Sequence, residues 1–308
     1  MVKDAPRTER ESPERGTNYI GRYEIKARSG EGAFGIVYRA HDPLLDRTVA
    51  IKVPRADSLQ TLEVQLVVEE FRHEAKVAGK FAHENVVTIY DVVSDSGLDY
   101  IVMEYVPGRS VQDYMIATGP LDAEEALGVV FKSCLGLAHM HHHGVIHRDV
   151  KPGNIMYHPA QGATKLMDFS VSHAIESPPA RMTGSLGYMA PEHFDSNRRI
   201  TFLTDIFALG ATLYRLLTGA YPFDRTHTAF QVLHIDPTPI QKLRDDVPAA
   251  VCDLVSRAMA KADADRFPSA LAFAEAIEGV LVQHYPCSSL LGMRVGHGFA
   301  SSTHVKNG

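Results

Sequence analysis

His147-Arg148-Asp149-Val150-Lys151-Pro152-Gly153-Asn154 sets a carboxylate, an ammonium and an amide within six residues, Asp149 to Asn154. Phosphoryl transfer calls for that set: a carboxylate to orient the attacking hydroxyl, a cation to meet developing charge, an amide oxygen to help hold a metal. Taken alone, the stretch is also a polar loop between two apolar runs. Its reading turns on what surrounds it.

Upstream, residues 1–21 mix both charges with Pro, Ser and Gly and read as a flexible arm. Residues 22–106 are mostly strand-like. Tyr23-Glu24-Ile25, Gly35 to Ala40, Thr48 to Val53, Val86 to Tyr90 and Tyr100 to Tyr105 are β-branched or aromatic runs bounded by turn residues. One helix interrupts them, with Val64, Val67, Val68, Phe71, Ala75 and Ala78 at helical spacing. Beyond Pro107-Gly108 the pattern turns helical. Asp122 and Glu125 form a capping-box signal for a helix running to about His143, with Gly144 as its stop. Further helices are expected from Asp205 to Leu217, after Pro248, and from Ser269 to Val282. The expected fold is α+β: a small β-rich lobe at 22–106, a larger α-rich lobe at 107–282, and a tail at 283–308.

Ser29-Gly30-Glu31-Gly32-Ala33-Phe34-Gly35-Ile36-Val37 contains GxGxxG, whose glycines let backbone N–H groups approach phosphates. A dinucleotide-binding turn carries the same letters, but here the loop leads into a strand-like run and not a helix. In Val49-Ala50-Ile51-Lys52, alternation puts Ala50 and Lys52 on one face, and the small Ala50 leaves room for a planar base. A lysine held under such a loop needs a carboxylate to orient it. Of the three glutamates on the next helix, Glu69 points away from the apolar stripe, Glu70 is well off it and Glu74 flanks its edge. Asp168-Phe169-Ser170 follows the strand-like Lys165-Leu166-Met167, and Ala190-Pro191-Glu192 closes a polar loop.

In this order these stretches resemble the protein kinases over about residues 22–282, and the wording of Asp149 to Asn154 is similar to that of bacterial serine/threonine kinases. The resemblance implies ATP with two Mg²⁺ or Mn²⁺ ions and a protein substrate bearing Ser or Thr. It makes Asp149 the residue that orients the hydroxyl, Lys151 a phosphate contact, Lys52 the phosphate-pairing lysine and Glu74 its partner, with Glu70 second. Asn154 and Asp168 would hold metal. Ser29 to Val37 would cover the nucleotide. Met103 would border the base, backbone groups of Glu104 and Val106 would bond it, Val37 and Ala50 would lie above and Met156 below. Thr183 is the implied phosphorylation site, with Arg148 as its partner. Ser185 stands where the family usually carries a Thr touching the catalytic Asp and Lys. Glu192 would pair with Arg266, and Asp205 would cap its helix and steady the catalytic loop. Ser170 departs from the family's glycine, which bears on how freely that segment flips.

A net charge of −6 gives no sign of nucleic acid or an anionic surface as partner. Three scattered cysteines and no apolar run of about 18 residues point to a reducing, cytoplasmic setting, although bacterial relatives usually add a membrane helix and sensor. His139-Met140-His141-His142-His143 invites a metal site, but a helix end favouring cationic His is the plainer account. Two other classes compete: a nucleotide-binding scaffold without transfer, suggested by Ser170, and a small-molecule phosphotransferase, which the Ala190-Pro191-Glu192 shelf argues against.

Overall fold

The computed structural model describes residues 19–32, 35–54, 82–95, 98–168, 173–174, 185–224 and 228–288. The helix expected around residues 64–78, with Glu69, Glu70 and Glu74, lies outside them, as do Ala33, Phe34, Phe169, Ser170 and Thr183.

Six antiparallel strands form the first sheet: β1 (Tyr19–Ile20), β2 (Tyr23–Gly32), β3 (Gly35–Asp42), β4 (Arg47–Val53), β5 (Ile89–Asp95) and β6 (Leu98–Glu104). Their order is β1-β2-β3-β4-β6-β5. The period-two pattern sorts the central strand. Val49, Ile51 and Val53 join Ile20, Tyr23, Ala40, Tyr100 and Val102 in one apolar cluster. Ala50 and Lys52 take the opposite face, opposite Met103 and Val37 respectively. Two expectations change here. Tyr19 and Ile20, counted with the flexible arm, form a strand, and Ile20 is buried. The strand expected over Val86 to Tyr90 begins only at Ile89, because the Val87 N–H donates to the carbonyl of Leu166 in the other lobe and the Asn85 carbonyl accepts from the Leu166 N–H.

The second lobe contains α1 (Val111–Thr118), α2 (Ala123–His142), α3 (Leu203–Thr218), α4 (Thr228–His234), α5 (Ala249–Ala258) and α6 (Ala270–His284). Short strands thread between them: β7 (Arg109–Ser110), β8 (Val145–Ile146), β9 (Ile155–His158), β10 (Ala163–Leu166) and β11 (His173–Ala174). β10, β9 and β7 pair in that order. Leu127, Val130, Phe131 and Leu137 of α2 meet Ile206, Phe207 and Leu213 of α3 and Phe273 of α6 in one large core. Asp122 caps α2 by accepting from the Glu125 N–H at 2.7 Å. The reciprocal half of the expected capping box is replaced: the Glu125 carboxylate accepts from the Tyr157 hydroxyl at 2.7 Å. No helix among the described residues is long and apolar enough to cross a membrane.

Candidate active site

The loop after β8 is held from below by one carboxylate. Asp205, fully buried, accepts from the backbone N–H groups of His147 (2.9 Å) and Arg148 (2.8 Å), and pairs with the His141 ring at 2.8 Å. Burial alone would raise the Asp205 carboxyl. The His141 hydrogen bond, the nearby imidazoles and the His147 N–H outweigh it and hold the group below its ordinary value. The expectation that Asp205 caps its own helix is corrected. α3 starts at Leu203 without a side-chain cap, and Asp205 spends both oxygens on the loop. His147 is buried. Its Nδ1 accepts from the Asp149 N–H and its Nε2 faces the Met167 carbonyl, both at 3.3 Å.

Every oxygen of Asp149 is engaged. Oδ1 accepts from the Ser185 N–H at 2.9 Å; Oδ2 accepts from Lys151 Nζ at 2.7 Å and Asn154 Nδ2 at 2.9 Å. Lys151 Nζ also donates to Ser185 Oγ at 2.7 Å. Asn154 Nδ2 donates a second time, to the Asp149 carbonyl at 2.9 Å, which turns Asn154 Oδ1 away from Asp149. The Asn154 carbonyl accepts from the Met167 N–H at 2.9 Å and thereby ties the loop to Asp168. Asp168 adopts a left-handed backbone, φ +66°, and its Oδ1 accepts from the nearly buried Lys52 Nζ at 3.2 Å. Asn154 and Asp168 offer hard oxygen donors, a set that suits Mg²⁺ or Mn²⁺. Glu74, the expected partner of Lys52, falls outside the described residues.

In the glycine hairpin the three glycines differ in purpose. Gly35 has φ +156°, and an added Cβ would overlap the Val53 carbonyl oxygen, so strand approach demands glycine there. A Cβ at Gly30 would meet nothing within 4 Å. Gly32 pairs with Gly35 at the tip, Ser29 is exposed, and Glu31 is ion-paired with Arg28. Ile36 and Val37 are half-buried on β3; Val106 is buried, and Met103 and Met156 are half-buried. One hinge expectation narrows: the Glu104 N–H donates to the Thr88 carbonyl at 2.9 Å, so it is not the donor to a base.

Beside the loop, Arg266 and Glu192 form a bidentate pair at 2.8 and 2.9 Å, with side chains 0% and 1% exposed. Burial would raise Glu192, but the Arg266 bonds and charge bring it below the ordinary carboxylate range. Arg148 is buried with φ +67°, and burial lowers its guanidinium from the ordinary value. His141 was missed as a functional residue because it lies inside the histidine run read as a helix end; only its contact with Asp205 sets it apart. His139 corrects the expectation of cationic histidines there. Burial, followed by His83, His143 and His142, pushes it down to about 4.

Comparison with known proteins agrees with this geometry. The family model described as the protein kinase domain matches residues 23–276. The chain is 36% identical over 262 residues to serine/threonine-protein kinase PrkC of Bacillus subtilis, covering 83% of this chain and 40% of that protein. It is 34% identical over 261 residues to serine/threonine-protein kinase PknB of Mycobacterium leprae, covering 81% and 41%. The chain therefore spans about two fifths of the length of these curated relatives. Motif order, loop geometry and these matches converge on one conclusion: the chain belongs to the protein kinase domain family.

Proposed function

We propose that this chain is a serine/threonine protein kinase that transfers the γ-phosphoryl group of ATP to a protein Ser or Thr hydroxyl, with residues 22–282 as the kinase domain. The observation that carries the reading is the Asp149 carboxylate held by Lys151, Asn154 and the Ser185 N–H. That fixed carboxylate orients the incoming hydroxyl and takes its proton as the new O–P bond forms and the bond to ADP breaks. Lys151 meets charge on the transferring group, and Lys52, oriented by Glu74, pairs with the nucleotide phosphates. Asn154 and Asp168 would hold the divalent ion, Mg²⁺ or Mn²⁺, which when bound neutralises phosphate charge. The base lies between Val37 and Ala50 above and Met156 below, against Met103, with the Glu104 carbonyl and the Val106 N–H at its edge. The Ser/Thr class is supported by Lys151 and by the names of the relatives. The proposal includes autophosphorylation of Thr183 with Arg148 as its partner, and a cytoplasmic site of action.

Incubation of the purified protein with ATP-Mg²⁺ and a generic basic protein tests this. Transfer to Ser or Thr is expected, lost in Asp149→Asn, and phosphopeptide mapping reads Thr183 in the same sample. No transfer above the Asp149→Asn control refutes the reading.

A further inference from the structure

Glu104 ends β6, where the chain passes from one lobe to the other. Its Oε2 accepts from Lys165 Nζ at 3.0 Å and from the Thr88 N–H at 3.2 Å, while its own N–H donates to the Thr88 carbonyl at 2.9 Å. Lys165 lies in β10, three residues before Asp168. Residues 85–88 close the third side. Leu166 N–H donates to the Asn85 carbonyl (2.8 Å), Val87 N–H to the Leu166 carbonyl (2.9 Å), and Asn85 Nδ2 to the Thr164 carbonyl (3.0 Å). One carboxylate thus joins three segments that are distant in sequence.

An exposed ion pair would contribute little. This one differs in two respects. The side chains of Lys165 and Glu104 are only 17% and 24% exposed, and the accepting oxygen is shared with a backbone N–H. Without the ammonium, a partly buried carboxylate is left beside a single neutral donor. Rotation toward water then becomes favourable and releases Thr88. Glu104 and Val106 are also the positions whose backbone would meet the adenine edge.

We propose that Lys165 is a positioning residue for nucleotide binding: through the Glu104 carboxylate its ammonium holds the backbone at 104–106 in the form that accepts a purine base. The proposal rests on the kinase reading above. The Lys165 ammonium is directed at Glu104, so its effect belongs to the base and not to the triphosphate. That separates it from a role exerted through neighbouring Asp168.

The test is calorimetric titration of the full chain with adenosine, and separately with a non-hydrolysable ATP analogue plus Mg²⁺. Lys165→Met is expected to weaken both ligands alike, by roughly tenfold, and to raise KM for ATP with little change in kcat. Lys165→Arg, which keeps the charge and a donor, is expected to bind like the wild type. Glu104→Gln provides a second route to the same loss if Lys165→Met does not fold. Unchanged binding of both ligands in Lys165→Met and Glu104→Gln overturns the proposal, and so does a loss confined to the ATP analogue. A wild-type protein that binds neither ligand would sink the kinase reading and the positioning role of Lys165 with it.

Discussion

Replacing Arg266 by Ala removes four hydrogen bonds at once. Two run to the Glu192 carboxylate, one to the Leu203 carbonyl at 2.9 Å and one to the Ala260 carbonyl at 2.9 Å. Both partners are buried, so the loss is not a surface effect. What remains is a buried carboxylate with a cavity beside it; Arg198 Nη2 lies 3.8 Å away, a distant substitute. Removing one partner of such a pair costs about 3–5 kcal/mol, a third or more of the stability of a typical domain. For a domain of this size that is a fall in Tm of about 5–10 °C. The sign with pH follows from Glu192. Its native carboxyl is held below the unfolded value, so the pair's contribution is complete above the unfolded carboxylate range, near pH 4. It is lost as pH falls through the folded value. In Arg266→Ala, burial acts on Glu192 without its strongest partner and raises it, and protonation then relieves the variant. The gap between wild type and variant should therefore be widest near pH 7 and shrink toward pH 4. Urea denaturation at several pH values measures it. A gap below about 1 kcal/mol at pH 7, or one that widens on acidification, would refute the reasoning.

Three further outcomes follow. His139, held down at about 4 by burial, excludes its proton in the fold, so stability should fall as pH drops below about 6.5 and level off near 4. Full burial would make that about 3 kcal/mol, and screening of a partly exposed ring reduces it to about 1 kcal/mol; His139→Phe should remove this dependence in denaturation at pH 7.5 and 5.0, and an unchanged acid response argues against it. Ser185→Ala deletes the Oγ acceptor of Lys151 but keeps the backbone bond to Asp149, so kcat should drop about tenfold with KM for ATP unchanged; equal kcat in steady-state assays contradicts the assigned role. Gly35→Ala forces a Cβ into the Val53 carbonyl at a left-handed φ and should destabilise by about 2 kcal/mol or more, read by thermal melting; a melt equal to wild type would remove the packing argument.

What was legible in the sequence was local. Asp149, Lys151 and Asn154 lie within one short loop, so their chemistry could be read before any contact was known. The long helices α2 and α6 announce themselves by period and N-terminal caps, and α3 by its period and the Gly219 that ends it. Other features depend on partners far along the chain. Residues 86–90 look like a strand by composition, yet Val87 bonds to Leu166 and Thr88 to Glu104, partners that no periodicity reveals, and the strand starts only at Ile89. Asp205 looks like a helix cap because it precedes an apolar run, but its ligands are N–H groups about sixty positions earlier. The polar half of β2, Lys26 to Gly32, carries no apolar alternation and is a strand because β3 pairs with it. α1 is short, its two turns too few for a clear period, and its one local signal is its cap, Ser110 accepting from the Asp113 N–H.

Arg148 has a consequence beyond the site. An L-residue with a Cβ at φ +67° costs about 1–2 kcal/mol, and this one also buries a guanidinium whose Nε has no hydrogen-bond partner among the described residues. Glycine at 148 would remove both penalties. The loop thus stores strain beside Asp149, where a residue held in a sparsely populated conformation is characteristic of functional sites.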